Sequence, residues 1–484
     1  MTPARPSSRS ALTAALAAAA CLAVPAVASA DGLRWRACAS AETAPGLQCA
    51  SLRVPLDWAR PHAGPTVRLA IARLPARDRR RRIGPLFVNP GGPGGSAVEA
   101  VGLELLTPRA TMGALRERFD VIGVDPRGVG GSTPLRCGSA LARLGVPPVD
   151  LDDASFAAFR RANAAAGREC RRRSGPLFDH VDGATAARDV DAVRRALGAR
   201  RISWLGLSYG SLLGEDYAAR YPRRVRAMVL DGAVDRARPI ERALVEEAAA
   251  QGRSFDAFGA WCAATSACAL HGQDVAAVLD RLMAAPGGVP DSAIGRPATG
   301  AEITYGLNEG LQMPDAWPLV AEVLARADGQ HGPADAAGIV RRPPAVDPLY
   351  RTATCADLDA AIGSAADARR LQRRVQAVAP HTWRYTEWWE VMTGCSGWPV
   401  RRRDRATAGR VTGVERALVV GNATDASTPL PWARSLARRI DGSRLLTYEG
   451  VGHTGLFHSR CVQRQEARFL VTRALPPRGA VCRS

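Results

Sequence analysis

Ser208 stands between two glycines in the segment GLSYG, which follows the apolar residues ISWL and precedes a helical pattern, SLLGEDYAARYP. Where a strand turns sharply into a helix, flanking glycines let the two approach without a Cβ clash, and the serine projects from strained backbone. The pentapeptide alone is a weak signal. Its position between a strand and a helix favours a nucleophile over a serine in an ordinary turn.

An activated serine requires a base to take its proton and a carboxylate to orient that base. With this kind of elbow the chain order is serine, acid, histidine. GNATDASTP places Asp425 after one apolar segment, and GVGHTG places His453 after the next. His453 is the histidine that glycines frame at the end of an apolar segment. We therefore expect Ser208, Asp425 and His453 to form a triad, with Asp231 at the end of RAMVLDG as the rival acid.

A glycine-rich segment, NPGGPGGS, follows the apolar residues GPLFV and could supply donors to an oxyanion. We expect the amide of Gly92 and that of Tyr209, next after the nucleophile, to form this oxyanion hole. A phosphate-binding loop is excluded because no Gly-Lys-Ser/Thr ending is present. A dinucleotide site is excluded because the Gly-x-Gly-x-x-Gly frame is absent.

Apolar segments that end in glycine, aspartate or asparagine predict the elements that must position these residues. Two early strands are predicted in LQCASLRVPLDW and TVRLAIARLP, and six buried parallel strands in GPLFVNP, FDVIGVDPRG, ISWLGLS, RAMVLDG, ALVVGNATD and RLLTYEG. Helical patterns such as TAARDVDAVRRALG separate several of them. The fold class is therefore α/β, with a mostly parallel central sheet covered on both faces.

The alternation of strands and helices breaks in an alanine-rich stretch with helical periodicity, which we interpret as a cap over the strand ends. The predicted organisation is a leader at 1–30, a first core part at 31–235, a helical cap insertion at 236–405 and a second core part at 406–484.

The leader has the features of a secretory signal peptide: Arg5 and Arg9, an apolar stretch, and small residues that predict cleavage near Ala30. Lipidation of Cys21 is a weaker alternative, since no leucine stands three residues before it. No later apolar stretch approaches the roughly 20 residues of a membrane span, so stable membrane insertion is not expected. The predicted location is extracellular or within the cell envelope.

Cleavage of the leader would leave ten of the 11 cysteines, and an even number in an exported chain predicts disulfides. Spacing favours local pairs, although it leaves other connectivities open: Cys38 with Cys49, Cys137 with Cys170, Cys262 with Cys268, Cys355 with Cys395, and Cys461 with Cys482. The sequence contains no Cys-x-x-Cys and no histidine pair beside a cysteine, so it indicates no metal site. No cofactor is implied.

A net charge of +19 arises from arginine alone, since the chain contains no lysine. The segments RDRRRR and RRRDR lack interleaved aromatic residues and a nucleic-acid-binding motif, so we interpret them as solvated loops and expect no nucleic acid partner. The basic surface is suited to electrostatic association with an anionic cell wall.

Five segments in this order, NPGGPGGS, FDVIGVDPRGVGGSTPLRC, GLSYGSLLGEDYAARYPRRVRAMVLDG, GNATDASTP and GVGHTG, resemble the secreted tripeptidyl aminopeptidases of actinomycete type. These enzymes are relatives of prolyl iminopeptidase within the α/β-hydrolases. The resemblance extends from about Trp35 to Cys482 and is looser in the cap. It implies an α/β-hydrolase fold, a triad of Ser208, Asp425 and His453, and a peptide substrate. It specifies the fold and mechanism far better than the substrate.

A cap that closes one side of the cleft predicts an exopeptidase, which releases short peptides, tripeptides by the resemblance, from free N-termini. A buried ammonium group must find a carboxylate. Glu309 and Glu387 in the cap are candidates for that contact, although neither lies in a matched motif. A carboxylesterase with the same triad is the alternative. A further alternative is an inactive hydrolase fold that serves as an envelope binding protein.

Overall fold

The central sheet contains ten strands in the computed structural model, which describes residues 32–38, 44–103, 109–330, 332–338, 346–401 and 409–483. The strands are β1 (Arg36–Ala37), β2 (Gln48–Pro55), β3 (Thr66–Leu74), β4 (Gly84–Asn89), β5 (Phe119–Val124), β6 (Ile202–Leu207), β7 (Val225–Asp231), β8 (Ala417–Thr424), β9 (Ser443–Val451) and β10 (Val481–Arg483). The predicted signal peptide, with Cys21 and Ala30, lies outside the described residues.

The spatial order of the strands is β1-β2-β3-β5-β4-β6-β7-β8-β9-β10. Pairing is antiparallel from β1 to β3 and between β3 and β5, and parallel from β5 through β10. Strands β4, β5 and β6 are buried along their whole length, as expected where helices cover both faces of a parallel sheet. The predicted α/β-hydrolase fold is confirmed, and the six predicted parallel strands are β4 to β9.

Helices cover the sheet and continue into a separate layer. They are α1 (Ala97–Gly102), α2 (Arg109–Arg118), α3 (Ser139–Ala142), α4 (Asp153–Ser174), α5 (Gly183–Ala196), α6 (Tyr209–Arg220), α7 (Ile240–Ala264), α8 (Val275–Ala284), α9 (Gly300–Leu311), α10 (Trp317–Ala327), α11 (Pro348–Asp357), α12 (Ala365–Val378), α13 (Glu387–Cys395), α14 (Leu430–Arg439), α15 (Gly455–His458) and α16 (Arg460–Thr472). Within the ranges given above, no helix is long and apolar enough to cross a membrane.

Helices α7 to α13 lie in sequence between β7 and β8, where the cap was predicted. The apolar side chains of α4 also pack into a cluster with those of α12 and α13. The buried side chain of Asn163 in α4 donates hydrogen bonds to the carbonyl oxygens of Thr393 and Ser396, each at 3.0 Å. Helix α4 therefore packs against part of the predicted cap insertion, although it lies in sequence within the predicted first part of the core.

Disulfides connect the cysteines in the local pairs that their spacing favours: Cys38–Cys49, Cys137–Cys170, Cys262–Cys268, Cys355–Cys395 and Cys461–Cys482. Two of these bonds, Cys262–Cys268 and Cys355–Cys395, lie within the predicted cap insertion. The Cys355–Cys395 bond joins α11 to the end of α13.

Candidate active site

Ser208 occupies a sharp turn between β6 and α6, with φ 54° and ψ −126°, a conformation that is costly for a residue with a side chain. A methyl group built on Gly206 would lie 2.2 Å from the carbonyl oxygen of Gly210. One built on Gly210 would lie 2.6 Å from the carbonyl oxygen of Asn89. The turn therefore requires both glycines. The Ser208 amide donates to the carbonyl oxygen of Asp231 at 2.9 Å, which fixes the elbow to β7.

Asp425 and His453 follow neighbouring strands, β8 and β9, and meet at the same sheet edge. His453 Nδ1 lies 3.0 Å from each carboxylate oxygen of Asp425. The buried Asp425 carboxylate also accepts the amides of Ser427 and Thr428, each at 2.9 Å. A proton on Nδ1 would therefore be held by Asp425, which leaves Nε2 as the nitrogen able to act as a base.

The imidazole of His453 lies beside Gly232, at the end of the strand to which the elbow is hydrogen-bonded. A methyl group built on Gly232 would come within 3.1 Å of His453 Cε1, and Gly232 follows the residue whose carbonyl oxygen accepts the Ser208 amide. Burial lowers the pKa of His453, but the charge and hydrogen bond of Asp425 and the nearby carboxylate of Glu387 outweigh burial and raise it to about 9. Burial raises the pKa of Asp425, yet His453 holds it below its usual value.

Asp231, the rival acid, has a different set of partners. Its two carboxylate oxygens accept the amides of Gly455 and Leu456 at 2.9 and 2.8 Å. Burial raises the pKa of Asp231 despite these hydrogen bonds. The structure thus brings Asp425, and not Asp231, into hydrogen-bonding contact with His453, while Asp231 holds the backbone that follows the histidine.

The glycine-rich loop after β4 lies against the elbow. A methyl group built on Gly91 would lie 3.0 Å from both Ser208 Cβ and the Tyr209 nitrogen. Tyr209 begins α6, so its amide has no acceptor within the helix. The Gly91 amide donates to the Asn89 side chain at 3.0 Å, and Gly92 comes next in the loop. This arrangement positions the two predicted oxyanion donors in the segments next to Ser208.

Asp125, at the end of β5, holds the far end of this loop. Its buried carboxylate accepts the Ser96 hydroxyl at 2.8 Å, the Val98 amide at 3.0 Å and the Gly131 amide at 2.9 Å. Burial raises the pKa of Asp125 in spite of these three donors. Asp125 therefore links the oxyanion loop to the DPRG turn, although sequence reasoning had assigned it no role.

An acidic cavity of about 330 Å³ separates the oxyanion loop from the cap. Pro93 and Gly94 of the loop form part of its wall. Its acidic lining residues are Glu309, Asp347, Glu387 and Glu390. Tyr305 and Tyr385 are among the aromatic ones, and no arginine lines the cavity within the described part of the chain. Both predicted anchors, Glu309 and Glu387, therefore face one cavity, in a protein whose overall charge is strongly positive.

Glu387 is hydrogen-bonded to the immediate neighbourhood of both His453 and Asp425. Its Oε1 accepts from Gln312 Nε2 at 3.0 Å, and the carbonyl oxygen of Gln312 accepts the His453 amide at 2.9 Å. Its Oε2 accepts the Ser427 hydroxyl at 2.6 Å, and the Ser427 amide donates to Asp425. Burial raises the pKa of Glu387. These contacts fix the distance between the cavity acid and the catalytic candidates.

The other two glutamates of the cavity differ in their partners. Burial raises the pKa of Glu309 to about 7, and the negative charges of Glu387 and Glu390 act in the same direction. Glu390 accepts the Tyr385 hydroxyl at 2.6 Å and lies 3.6 Å from the buried guanidinium of Arg351. A cation entering the cavity would relieve the mutual repulsion of these carboxylates.

Two families match the chain: "alpha/beta hydrolase fold" over residues 84–301 and "TAP-like protein" over residues 380–482. Serine protease Hip1 of Mycobacterium tuberculosis is 32% identical over 467 residues, covering 90% of this chain and 87% of the relative. Tripeptidyl aminopeptidase of Streptomyces coelicolor is 30% identical over 483 residues, covering 93% and 86%. The chain belongs to the α/β-hydrolases of tripeptidyl aminopeptidase type. It is a serine hydrolase.

This membership confirms the resemblance read from the five motifs. Carboxylesterase B of M. tuberculosis is also a relative of this TAP-type hydrolase, 32% identical over 472 residues, covering 90% of this chain and 86% of the relative. Relatives of similar identity thus bear the names of peptidases and of an esterase. Family membership alone does not select between the two classes of substrate.

Sequence reasoning missed several residues that build the site of this TAP-type hydrolase. Glu390 lies three residues after Glu387 on α13, a spacing that places both side chains on one helix face and could have indicated a pair. Gln312 and Ser427 carried no such signal, because their roles depend on contacts across the cap. Glu215, in the helix after the elbow, is buried and forms an ion pair with Arg439, with 2.7 Å between Oε1 and the guanidinium nitrogen. It does not line the cavity.

Proposed function

We propose that this protein is an exported serine exopeptidase that releases short peptides from free N-termini. Three residues is the number expected by analogy with the tripeptidyl aminopeptidase relative. Ser208 attacks the scissile carbonyl carbon, and His453 takes the serine proton and passes it to the leaving amine. Asp425 orients the imidazole, and the amides of Gly92 and Tyr209 stabilise the oxyanion. Water then hydrolyses the acyl-enzyme through the same base.

The observation that supports exopeptidase action is the hydrogen-bonded connection of Glu387 to the triad candidates. An exopeptidase must hold its substrate's terminal ammonium group at a fixed distance from the nucleophile. Glu387 is joined through Gln312 to the His453 backbone and through Ser427 to Asp425. A carboxylate held in this way can bind the terminal ammonium group of the substrate at a fixed distance from the nucleophile.

The charge of the cavity supports an ammonium ligand over a neutral one. Several carboxylates line one cavity, and burying an unpaired charge is costly unless an opposite charge accompanies it. A primary ammonium group offers three donors and a positive charge. An ester substrate without an amine would bring no positive charge to Glu309 and Glu387, which makes the carboxylesterase the weaker alternative.

Export is the second part of the proposal, and the five disulfides support it, because disulfides persist in oxidising compartments. The signal peptide features before Ala30 agree with it. Association with an anionic cell wall would follow from the net charge of +19.

The deciding assay compares Ala-Ala-Ala-p-nitroanilide with its N-acetylated twin and with p-nitrophenyl acetate. We expect kcat/KM for the acetylated peptide to be at least about tenfold lower than for the free peptide, because a charge-assisted hydrogen bond is lost. Glu309→Gln should raise KM for the free peptide roughly 3- to 10-fold and leave the acetylated peptide unchanged. Glu322→Gln is the matched control, since Glu322 is an exposed cap glutamate that does not line the cavity.

Equal cleavage of the free and acetylated peptides would reject exopeptidase action. Faster cleavage of the simple ester than of either peptide would favour the carboxylesterase. Failure of a fluorophosphonate probe to label Ser208 would favour the inactive binding protein instead.

A further inference from the structure

A second cavity, of about 290 Å³, opens between helices α9 and α10 of the cap. We call it the α9–α10 groove. Its wall on α10 consists of Leu319, Val320, Val323 and Leu324, whose spacing places them on one helix face. On α9, Gly306 and Gly310 also line it, and Gly310 packs closely against α10, since a methyl group built on it would lie 2.4 Å from Val320 Cγ2. The groove is therefore a concave apolar surface and not a gap between polar side chains.

Two large apolar side chains of the groove are exposed to an unusual degree. Leu319 is 51% exposed and Met313 is 44% exposed, whereas Val323 and Leu324 at the base are buried. Single exposed apolar side chains need no explanation, but two that converge on a concave apolar surface mark a binding groove. The groove is therefore able to bury apolar ligand surface.

The groove and the acidic cavity have two lining residues in common, Tyr305 and Glu309. Both spaces therefore border the Tyr305 and Glu309 side chains of α9. An ammonium group bound by Glu309 would bring the carbon atom that carries it to a residue that also lines the groove. In an N-terminal amino acid residue, the side chain branches from the carbon that carries the ammonium group. The shared residues thus match the geometry of a single terminal residue.

We propose that the α9–α10 groove is a subsite for an apolar side chain on the residue that carries the free α-ammonium group of a peptide. This inference rests on the proposed function, since it takes the acidic cavity as the ammonium site. A leucine at this terminal position would bury its side chain against Leu319 and Met313. An alanine would leave the groove unfilled.

The test measures equilibrium binding to the Ser208→Ala protein by isothermal titration calorimetry, so that no turnover is needed. The ligands are Leu-Ala-Ala-amide, Ala-Leu-Ala-amide, Ala-Ala-Ala-amide and N-acetyl-Leu-Ala-Ala-amide. We expect Leu-Ala-Ala-amide to bind about tenfold more tightly than Ala-Ala-Ala-amide, because the additional carbon atoms leave water. Ala-Leu-Ala-amide should bind less than about threefold more tightly than Ala-Ala-Ala-amide.

Substitutions at the groove rim locate the effect. Leu319→Ser with Met313→Ser should reduce the tenfold preference to less than about threefold, and both positions tolerate polar side chains because they are exposed. Val378→Ser is the matched control, since Val378 is 39% exposed but lines neither cavity, and it should retain the full preference. Thermal unfolding confirms that each variant is folded.

Equal binding of the leucine and alanine peptides would overturn the inference, as would a preference that survives the rim substitutions. A greater gain from Ala-Leu-Ala-amide would also overturn it, because the groove would then serve another residue of the substrate. If the acetylated peptide binds as tightly as the free one while the rim substitutions still abolish the leucine preference, the groove stands and the ammonium site fails. If acetylation weakens binding but leucine gives no advantage over alanine, the ammonium site stands and the groove fails as a subsite.

Discussion

At the residue scale, the site depends on how two similar carboxylates are used. Asp231 and Asp425 both end buried strands and both lie near His453. Asp425 accepts from the imidazole, whereas Asp231 accepts from two backbone amides that follow the histidine. The side chain with a hydrogen-bonding histidine can orient a base, and the other can only hold the loop in place.

We therefore expect Asp425→Asn to lower kcat by about 10⁴-fold, because the amide no longer holds the productive tautomer of His453. The acid limb of the kcat/KM profile should also move to lower pH. Burial lowers the pKa of His453, and the charge and hydrogen bond of Asp425 are the main causes that raise it, so the pKa falls when they are lost. Steady-state kinetics between pH 5 and 10 measure both effects.

Asp231→Asn is the matched comparison for this prediction. It should retain most of kcat and lower the melting temperature, since Asp231 holds two backbone amides and the buried Glu466 carboxyl group and not the imidazole. A larger loss of kcat in Asp231→Asn than in Asp425→Asn would transfer the role of orienting acid to Asp231.

At the scale of elements, the sequence predicted what depends on local pattern. Apolar segments ending in glycine or aspartate identified β4 to β9, and the elbow around Ser208 followed from glycines that the geometry requires. The packing of α4 against α12 and α13 did not follow, because helical periodicity shows an apolar face but not the helices against which it packs. That assignment depends on contacts such as those of Asn163 with α13 and its neighbour.

The same limit applies to the acidic cavity. Glu309 and Glu387 could be selected as cap acids from the need of an ammonium group for a partner. Their meeting in one cavity depends on the packing of α9 near α13, more than 70 residues apart in the chain by their numbers. The hydrogen bonds of Glu387 with Gln312 and Ser427 follow no periodic spacing in the sequence. Such connections require the three-dimensional structure.

At the scale of the whole molecule, five disulfides stabilise both the core and the cap. The Cys355–Cys395 bond encloses a separation of 40 residues, and a loop of that length corresponds to about 4 kcal/mol in the chain-entropy description. Reduction should therefore lower the melting temperature sharply, which differential scanning calorimetry with and without reductant can measure. Thiol titration of the denatured, unreduced mature protein should find no free sulfhydryl group. Two or more would contradict the pairing.

The central claim is that Ser208 serves an enzyme that removes short peptides from a free N-terminus. It is tested most directly by incubating the protein with an unmodified peptide of about 15 residues and following the products over time by mass spectrometry. We expect successive release of short N-terminal peptides, three residues each, with the remaining chain shortened in step and no products from Ser208→Ala. Early fragments cut from the interior, or equal digestion of the N-acetylated peptide, would contradict it.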